Sequence, residues 1–554
     1  MMIKVFQYRL MLFLISLVYL AGLFVTLFEN DSAQFAVMAM RMVQENDFLT
    51  LIKGTEEYLD KPHMHYWLAA FSYKLFGLHD WAYRIPAILA TFLGAYSCYG
   101  LGKLLYRKEV GWLAALIFLS AQTIVLSGID VRTDAVLTGF TVFALWQLAT
   151  YLETRSLTAV LLGAFGAAIA FSTKGQIALL VLGLPLICHI AYKNYWGALV
   201  HWKVILAVFV FGLTISPMLY AYYQQFDLHP EKVIRGRSGR SGILFIFWEQ
   251  SFERLSGEGV GKNSSDYFFF FHTFLWVFLP WTVVGLTAYG NRLKTLVKNR
   301  FSRLPGLELL TLGGITLIFI IISFAQFKLP HYLNITIPLF AILSALFLYE
   351  LHEKNNQKIF RWLLGFQYFI LGLVLLAIAL IGWYVFPTTT GKILAGILVI
   401  TGLATWYFST KAGAYKRLVY LGVASSLLLN LMLNIHFYPQ LLDYQGGSNM
   451  AKVVARKGIP VDHIYKLTDR HTWALDFYNQ RPVSKVDLQE LQPRDNAWLY
   501  VTEEERVNLE KKGLQWGQEF SVDQFRITRL QARFLNPDSR EKVLNKMYLL
   551  HLTP

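Results

Sequence analysis

Residues Leu10–Phe28 read LMLFLISLVYLAGLFVTLF and contain no charged side chain. At 1.5 Å of rise per residue such a run crosses a hydrocarbon layer of roughly 30 Å as a helix. A short basic lead, Lys4 and Arg9, precedes it. That lead also suits a secretory signal, but the apolar run is too long for one and no small-x-small cleavage site follows, so a retained first span is expected. Immediately after it the chain turns acidic at Glu29 and Asp31.

Working outward, runs of the same kind recur as far as Pro439. They give about thirteen candidate spans: Leu10–Phe28, Trp81–Leu101, Gly111–Gly128, Ala135–Tyr151, Thr158–Phe171, Ile177–Tyr192, Val204–Tyr222, Phe268–Leu286, Leu307–Phe324, His331–Tyr349, Phe360–Phe386, Ile393–Phe408 and Val419–Phe437. The chain is 55% hydrophobic and only 16% charged, more apolar surface than a soluble core could bury. Its formal charge of +15 suits work beside anionic lipid, and a mostly lipid-buried chain argues against nucleic acid as a partner. Cys98 and Cys188 are far apart within apolar runs, which supports neither a disulfide framework nor a cysteine metal site.

With the N-terminus in the cytoplasm, the connections on that side carry Lys103, Arg107, Lys108, Arg155, Lys193, Lys203, Arg292, Lys294, Lys298, Arg300, Arg303, Lys354, Lys358, Arg361, Lys411, Lys416 and Arg417, a positive-inside pattern. One opposite connection breaks it: the loop 223–267 holds Lys232, Arg235, Arg237, Arg240, Arg254 and Lys262. Past residue 439 the chain becomes polar. Strand-like runs (His463–Lys466, Ala497–Val501, Phe525–Leu530) alternate with helical ones (Thr472–Asn479, Glu503–Lys512), which predicts a small outer α/β domain over 440–554.

The same parity puts the polar clusters on one face. The loop 29–80, with helical pieces near Ser32–Gln44 and His63–Phe76, contributes Asp31, Asp60-Lys61-Pro62, His63 and His65. Later connections contribute Asp130, Arg132 and Asp134, then Thr173-Lys174-Gly175, then Lys328-Leu329-Pro330-His331-Tyr332. Ionisable groups at membrane depth are costly, so a one-sided set marks a site. Each has a plainer reading. Asp31 suits an N-cap of a helix starting at Ser32, Asp60 a cap before Pro62, and Asp134 a structural pair with Arg132. Lys61 and Lys328 suit lysines reaching for headgroups, and the three histidines suit packing.

Taken in order, the acid after span one, Asp60-Lys61-Pro62 with Tyr66-Trp67, Arg132-x-Asp134, Thr173-Lys174-Gly175, Leu279-Pro280-Trp281 and Lys328-Leu329-Pro330-His331-Tyr332 resemble the GT-C superfamily. More narrowly, they resemble its bacterial branch related to protein O-mannosyltransferases and to the lipid A aminoarabinose transferase. The resemblance implies an all-α polytopic GT-C membrane domain over 1–439, in a bacterial inner membrane, with the domain 440–554 in the periplasm. It implies an inverting glycosyltransferase that takes a sugar from a polyprenyl-phosphate donor. Asp31 matches the family's central acid, Lys61 its donor-binding lysine, and Lys328 and Tyr332 its later pair. Where the family shows Asp-Glu this chain has Asp31-Ser32, with Glu29 upstream. No cofactor is implied, and a divalent cation is left open.

A polyprenyl phosphate keeps its tail in lipid and its phosphate at headgroup depth. Lys61, Lys328, Lys174 and Arg254 are candidates to meet that phosphate, Asp31 and Asp134 to act on the acceptor. Asp60, His331, Arg235, Arg237 and Arg240 are candidates for acceptor binding. The basic loop fits two readings, a clamp on an acidic acceptor and simple adhesion to anionic headgroups. Tyr267–Phe271 reads as an interfacial aromatic belt rather than a tail groove. The expected acceptor is a cell-envelope glycolipid such as lipid A. The rivals are a Ser/Thr-directed protein O-glycosyltransferase and, from another class, a lipid or solute transporter. A transporter places its charges near the midplane on broken helices, unlike the edge clustering here.

Overall fold

The computed structural model describes residues 3–234, 236–250, 252–253, 266–304, 306–488 and 496–552. Among them, ten helices are long and apolar enough to cross a membrane. The first six are α1 (Val5–Gly22), α4 (Asp80–Leu105), α7 (Thr133–Thr154), α8 (Leu157–Lys174), α9 (Gln176–Lys193) and α10, which begins at Trp202. Pro330–Glu353, Gln357–Val385, Thr389–Ser409 and Ala414–Leu442 complete the ten. The other three expected spans are interrupted or short. Gly111–Gly128 divides into α5 (Lys108–Ser120) and α6 (Gln122–Ser127), because Ala121 between them is extended. Phe268–Leu286 divides into Phe269–Val277 and Thr282–Lys298 around Pro280, which has no N–H to give a helix ladder. Leu307–Phe324 forms only Leu310–Phe324.

The two helices between the first spans are α2 (Asp31–Gln44) and α3 (Met64–Phe76). They pack with the start of α4 through Phe35, Tyr66, Tyr73 and Tyr83, forming an apolar platform above the membrane helices. His63 and His65 are buried in it, bonded to Leu49 O (2.8 Å) and Tyr83 Oη (2.9 Å). Burial pushes both imidazoles down to about 4, so they sit neutral, as packing residues.

Within the membrane part, Pro330–Glu353 is enclosed over nearly its whole length. Small residues permit close crossings: any Cβ at Gly139 on α7 would collide with Ala90 O on α4. Peripheral helices turn large side chains outward, such as Ile397, Ile400 and Leu403, where only lipid can cover them. Tyr267, Phe268 and Phe271 are likewise exposed, and with Phe274, Phe319 and Phe340 they line an apolar groove of about 490 Å³.

The C-terminal unit is a five-stranded sheet in the order β6-β5-β7-β9-β8. Its strands are β5 (Ile464–Lys466), β6 (Ser484–Lys485), β7 (Trp498–Thr502), β8 (Glu519–Gln524) and β9 (Asn545–His551). Strand β5 runs parallel to β6 and β7, whereas β9 is antiparallel to β7 and β8. The helix Gly446–Lys457 packs on one face through Met450, Ala451 and Val454. The expected helices appear as Trp473–Tyr478 and Glu503–Lys511. Phe525–Leu530 is not a strand: the strand lies just before it, at β8. Phe525 instead joins the core cluster of the membrane unit, stacking at 4.0 Å on Phe534, which itself meets Phe386 of the membrane part, and its N–H is given to Tyr444 O at 2.8 Å. Its apolar run belongs to the joint between the two units.

Candidate functional site

Asp31 opens α2 but does not cap it. Asn30 takes that role, its side chain accepting the Ser32 N–H at 2.7 Å. The Asp31 carboxylate is therefore available for Arg132, whose guanidinium lies 3.2 Å from Asp31 Oδ2 and 3.1 Å from Asp130 Oδ2. Burial works against the Arg132 charge, yet Asp130, Asp31 and Asp134 together raise its pKa above the ordinary value.

Asp134 does not pair with Arg132 as its plainer reading would have it. Sitting in the first turn of α7, its Oδ1 accepts from Lys174 Nζ at 2.6 Å, and its Oδ2 lies 3.6 Å from His331 Nε2. Lys174 ends α8 and also lies over the Tyr332 ring, 4.9 Å from its centroid. A negative group at a helix start and a positive one at a helix end each complement the backbone dipole, so both charges are favoured where they stand.

These groups enclose a chamber of about 190 Å³, lined by Asp31, Asp60, Lys61, Arg132, Asp134, Lys174, His331 and Tyr332. It adjoins an apolar groove of about 370 Å³ between α9 and the helix Leu310–Phe324, lined by Ile177, Leu180, Ile321 and Ile322. Lys61, Asp134, Lys174, Phe327 and Tyr332 belong to both cavities, so cations and apolar wall meet at one place.

Lys328 is not among the chamber's lining residues. It is buried, donates to Asp266 O at 2.9 Å and lies 5.2 Å from the Tyr267 ring centroid. Arg237 is exposed on a small hairpin, β3 (Val233–Ile234) with β4 (Arg237–Ser238). Arg240 is tied to Glu249 at 2.9 Å and to Glu253. Arg235, Arg254 and Lys262 lie outside the described residues.

Among the chamber residues, Gln34, Phe35, Lys53, Tyr58 and Phe327 had no sequence signal of their own. Lys53 comes from β1 (Ile52–Lys53), paired with β2 (Glu56–Glu57), a hairpin too short to show any periodicity. Gln250, in the groove wall, is another; its Nε2 donates to Asp60 O at 2.5 Å and fastens the short helical segment 241–250 over the Lys61 segment. Among the described residues no group of three or more His, Cys, Asp or Glu is placed to hold a metal ion. The two central carboxylates are each met by a cation instead.

Comparison with known proteins agrees with this architecture. The family described as dolichyl-phosphate-mannose-protein mannosyltransferase matches residues 60–221. An undecaprenyl phosphate-alpha-4-amino-4-deoxy-L-arabinose arabinosyl transferase 2 of Proteus mirabilis (strain HI4320) is 26% identical over 341 residues, 60% of this chain and 58% of that protein. A transferase of the same name from Pseudomonas paraeruginosa (strain DSM 24068 / PA7), without the final numeral, is 26% identical over 69% of this chain and 68% of its own. The crystal structure of ArnT from Cupriavidus metallidurans bound to undecaprenyl phosphate superposes with a TM-score of 0.74, covering 98% of this chain and 97% of that one at 17% identity. The likeness spans both the membrane part and the C-terminal domain, and the family-model match begins at Asp60, which with Lys61 lines the chamber. The chain is thus a membrane protein of the GT-C glycosyltransferase fold, related to the aminoarabinosyl transferases and to the protein mannosyltransferases.

Proposed function

We propose that this protein transfers a sugar from a polyprenyl-phosphate donor of the undecaprenyl type to a cell-envelope glycolipid such as lipid A. The observation that carries this reading is the wall that the cationic chamber shares with the apolar groove. A carrier lipid needs both at once: a wall for its tail and, at the tail's end, positive groups for its phosphate. The aminoarabinosyl transferases that the chain resembles are named for such a donor.

The acceptor oxygen attacks C1 of the sugar while the bond from C1 to the phosphate oxygen breaks, with inversion. Negative charge then gathers on the departing polyprenyl phosphate, and Lys61 and Lys174 at the shared wall lower the barrier by meeting it. Asp31, held by Arg132, orients the acceptor and takes its proton where the acceptor is a hydroxyl. Positive groups of the chain do the charge-stabilising work in this scheme, and no tightly bound metal is invoked. The three interrupted or short apolar segments bring the passages to thirteen. The N-terminus then lies in the cytoplasm, and the chamber and the C-terminal domain in the periplasm.

A Ser/Thr acceptor is the second reading, favoured by the match to the mannosyltransferase family. The test is transfer by purified protein in proteoliposomes, with radiolabelled undecaprenyl-phosphate sugars and either lipid A or Ser/Thr peptides. Label should reach the glycolipid, and Asp31→Asn should abolish it. Label on the peptide alone would select the second reading. No transfer with any donor, or an unimpaired Asp31→Asn, would refute the proposal.

A further inference from the structure

Among the described residues none of the C-terminal domain lines the chamber, yet the domain is fastened to the few residues that deliver Asp31 to it. After α1 ends at Gly22, residues 24–30 form neither helix nor strand before α2 begins. On one side Arg84, fully buried, donates to Leu23 O (3.0 Å), to Thr26 O (3.4 Å) and, from Nε, to Ile129 O (2.9 Å). On the other side the C-terminal domain takes over. Gln445 accepts the Glu29 N–H at 2.7 Å and donates to Leu27 O at 2.9 Å. Tyr478 Oη accepts the Leu27 N–H at 2.9 Å and donates to Asp80 Oδ2 at 3.0 Å. The Glu29 carboxylate reaches into the domain, where its Oε2 accepts the Ala474 N–H at 2.8 Å. Trp473 and Phe477 flank this bond and share the apolar platform of Phe35, Ala36 and Tyr66 beneath α2 and α3.

We propose that Glu29 is a positioning residue, through which the C-terminal domain sets the entry of α2 and so holds Asp31 against Arg132. This rests on the reading of Asp31 as the group that handles the acceptor. A single residue, the Asn30 cap, separates Glu29 from Asp31, so a shift of the Glu29 anchor moves the start of the helix. Unanchored, an irregular stretch samples many conformations, and a reacting group at its end loses the fixed geometry on which catalysis depends. The seat is also shaped for the carboxylate: a Cβ at Gly447 would stand 2.9 Å from Glu29 Oε2 and 3.2 Å from Leu475 N. The absence of a side chain at Gly447 is what lets Glu29 in.

Two variants approach the anchor from opposite ends: Glu29→Ala removes the side chain, and Gly447→Ala fills its seat from the domain. In the full-length protein in nanodiscs, each should lower kcat about tenfold or more with donor KM within about twofold. The double variant should be no worse than Glu29→Ala alone, because both act on one contact. Glu29→Gln keeps an oxygen for the Ala474 amide and should restore most of kcat. Hydrogen exchange gives a readout independent of turnover: amides of residues 28–34 should exchange faster in both alanine variants. The proposal is overturned by unchanged exchange at 28–34 while 473–478 loosens, or by additive losses in the double variant. Absence of transfer by the wild type would instead refute the transferase reading, and the exchange data would still decide the role of Glu29.

Discussion

Lys174 Nζ lies 2.6 Å from Asp134 Oδ1, joining the end of α8 to the first turn of α7 at side-chain exposures of 10% and 4%. A pair this enclosed is strong only while both partners are present. Removing one leaves a buried charge without its counter-ion, at a cost of about 3 kcal/mol or more. Asp134→Asn and Lys174→Met should each lower the thermal midpoint and abolish transfer. Combining them should destabilise less than the sum of the two, because the second substitution removes the stranded charge. Thermal melts of the detergent-solubilised variants check this.

Lys61 lines both the chamber and the groove and is only partly buried, so it should act on the donor more than on the fold. A charge-assisted bond to phosphate contributes about 1.5–3 kcal/mol, so Lys61→Ala should raise the donor KM by about tenfold or more while the thermal midpoint stays near wild type. Lys328→Ala, directed at a lysine away from the chamber lining, should behave differently. Its loss removes a buried bond to Asp266 O, and stability should fall before donor affinity does. Steady-state kinetics with varied donor, set beside melts, separates the two lysines.

How much of this was legible in the residues follows from what each residue type reports. Apolar runs report the lipid-facing length, which is why ten of the expected spans stand as helices, and why α5 and α6, broken at one extended residue, read as a single run. The motif residues Asp31, Lys61, Asp134, Lys174 and Tyr332 do converge, because they sit at helix ends that parity places on one face. What sequence could not give is direction. Lys328 and Tyr332 are neighbours in one motif, yet Tyr332 lines the chamber and Lys328 packs on Tyr267. Capping was equally hidden, since Asn30 and Asp31 are both good caps and only the backbone decides between them. Long-range partners such as Gln250 on Asp60 O have no local signature at all.

Gly175 separates α8 from α9 with φ at +70°, a conformation costly for any residue with a Cβ. A Cβ there would also stand 2.6 Å from Gln250 Oε1 and 2.8 Å from Ile246 Cδ1. Gly175→Ala should therefore push the helical segment 241–250 off the groove and break the bond from Gln250 to Asp60 O. Transfer should fall well below wild type, and Gln250→Ala, which removes the bond without the collision, should lose less. Equal activity in Gly175→Ala and wild type would show that the seat of this segment on the groove is immaterial to turnover.

Docking of the C-terminal domain should weaken as pH rises through neutrality. Burial is the main force on the Glu29 carboxyl, with Asp476 adding repulsion; the Ala474 and Trp473 amides and Lys466 oppose them, and the net result raises its pKa from 4.5 to about 7. Tyr500 interacts with it as well. Asp476, buried beside it, is raised from 3.8 to about 6, again mainly by burial. When the domain lifts off, Glu29 meets water and recovers its ordinary value. Between pH 4.5 and 7 the docked state therefore holds a proton that the released state has given up, and the docking free energy declines as pH increases. For Glu29 alone the change across that window is about 3 kcal/mol, nearly complete by pH 8. Asp476 tilts the dependence in the same direction over a lower range. Hydrogen exchange in 473–478 should thus be slower at pH 5.5 than at pH 8 after correction for the intrinsic rate, and Glu29→Gln, which has no proton to lose, should flatten most of that slope. A steeper slope in Glu29→Gln than in wild type would assign the titration to another group.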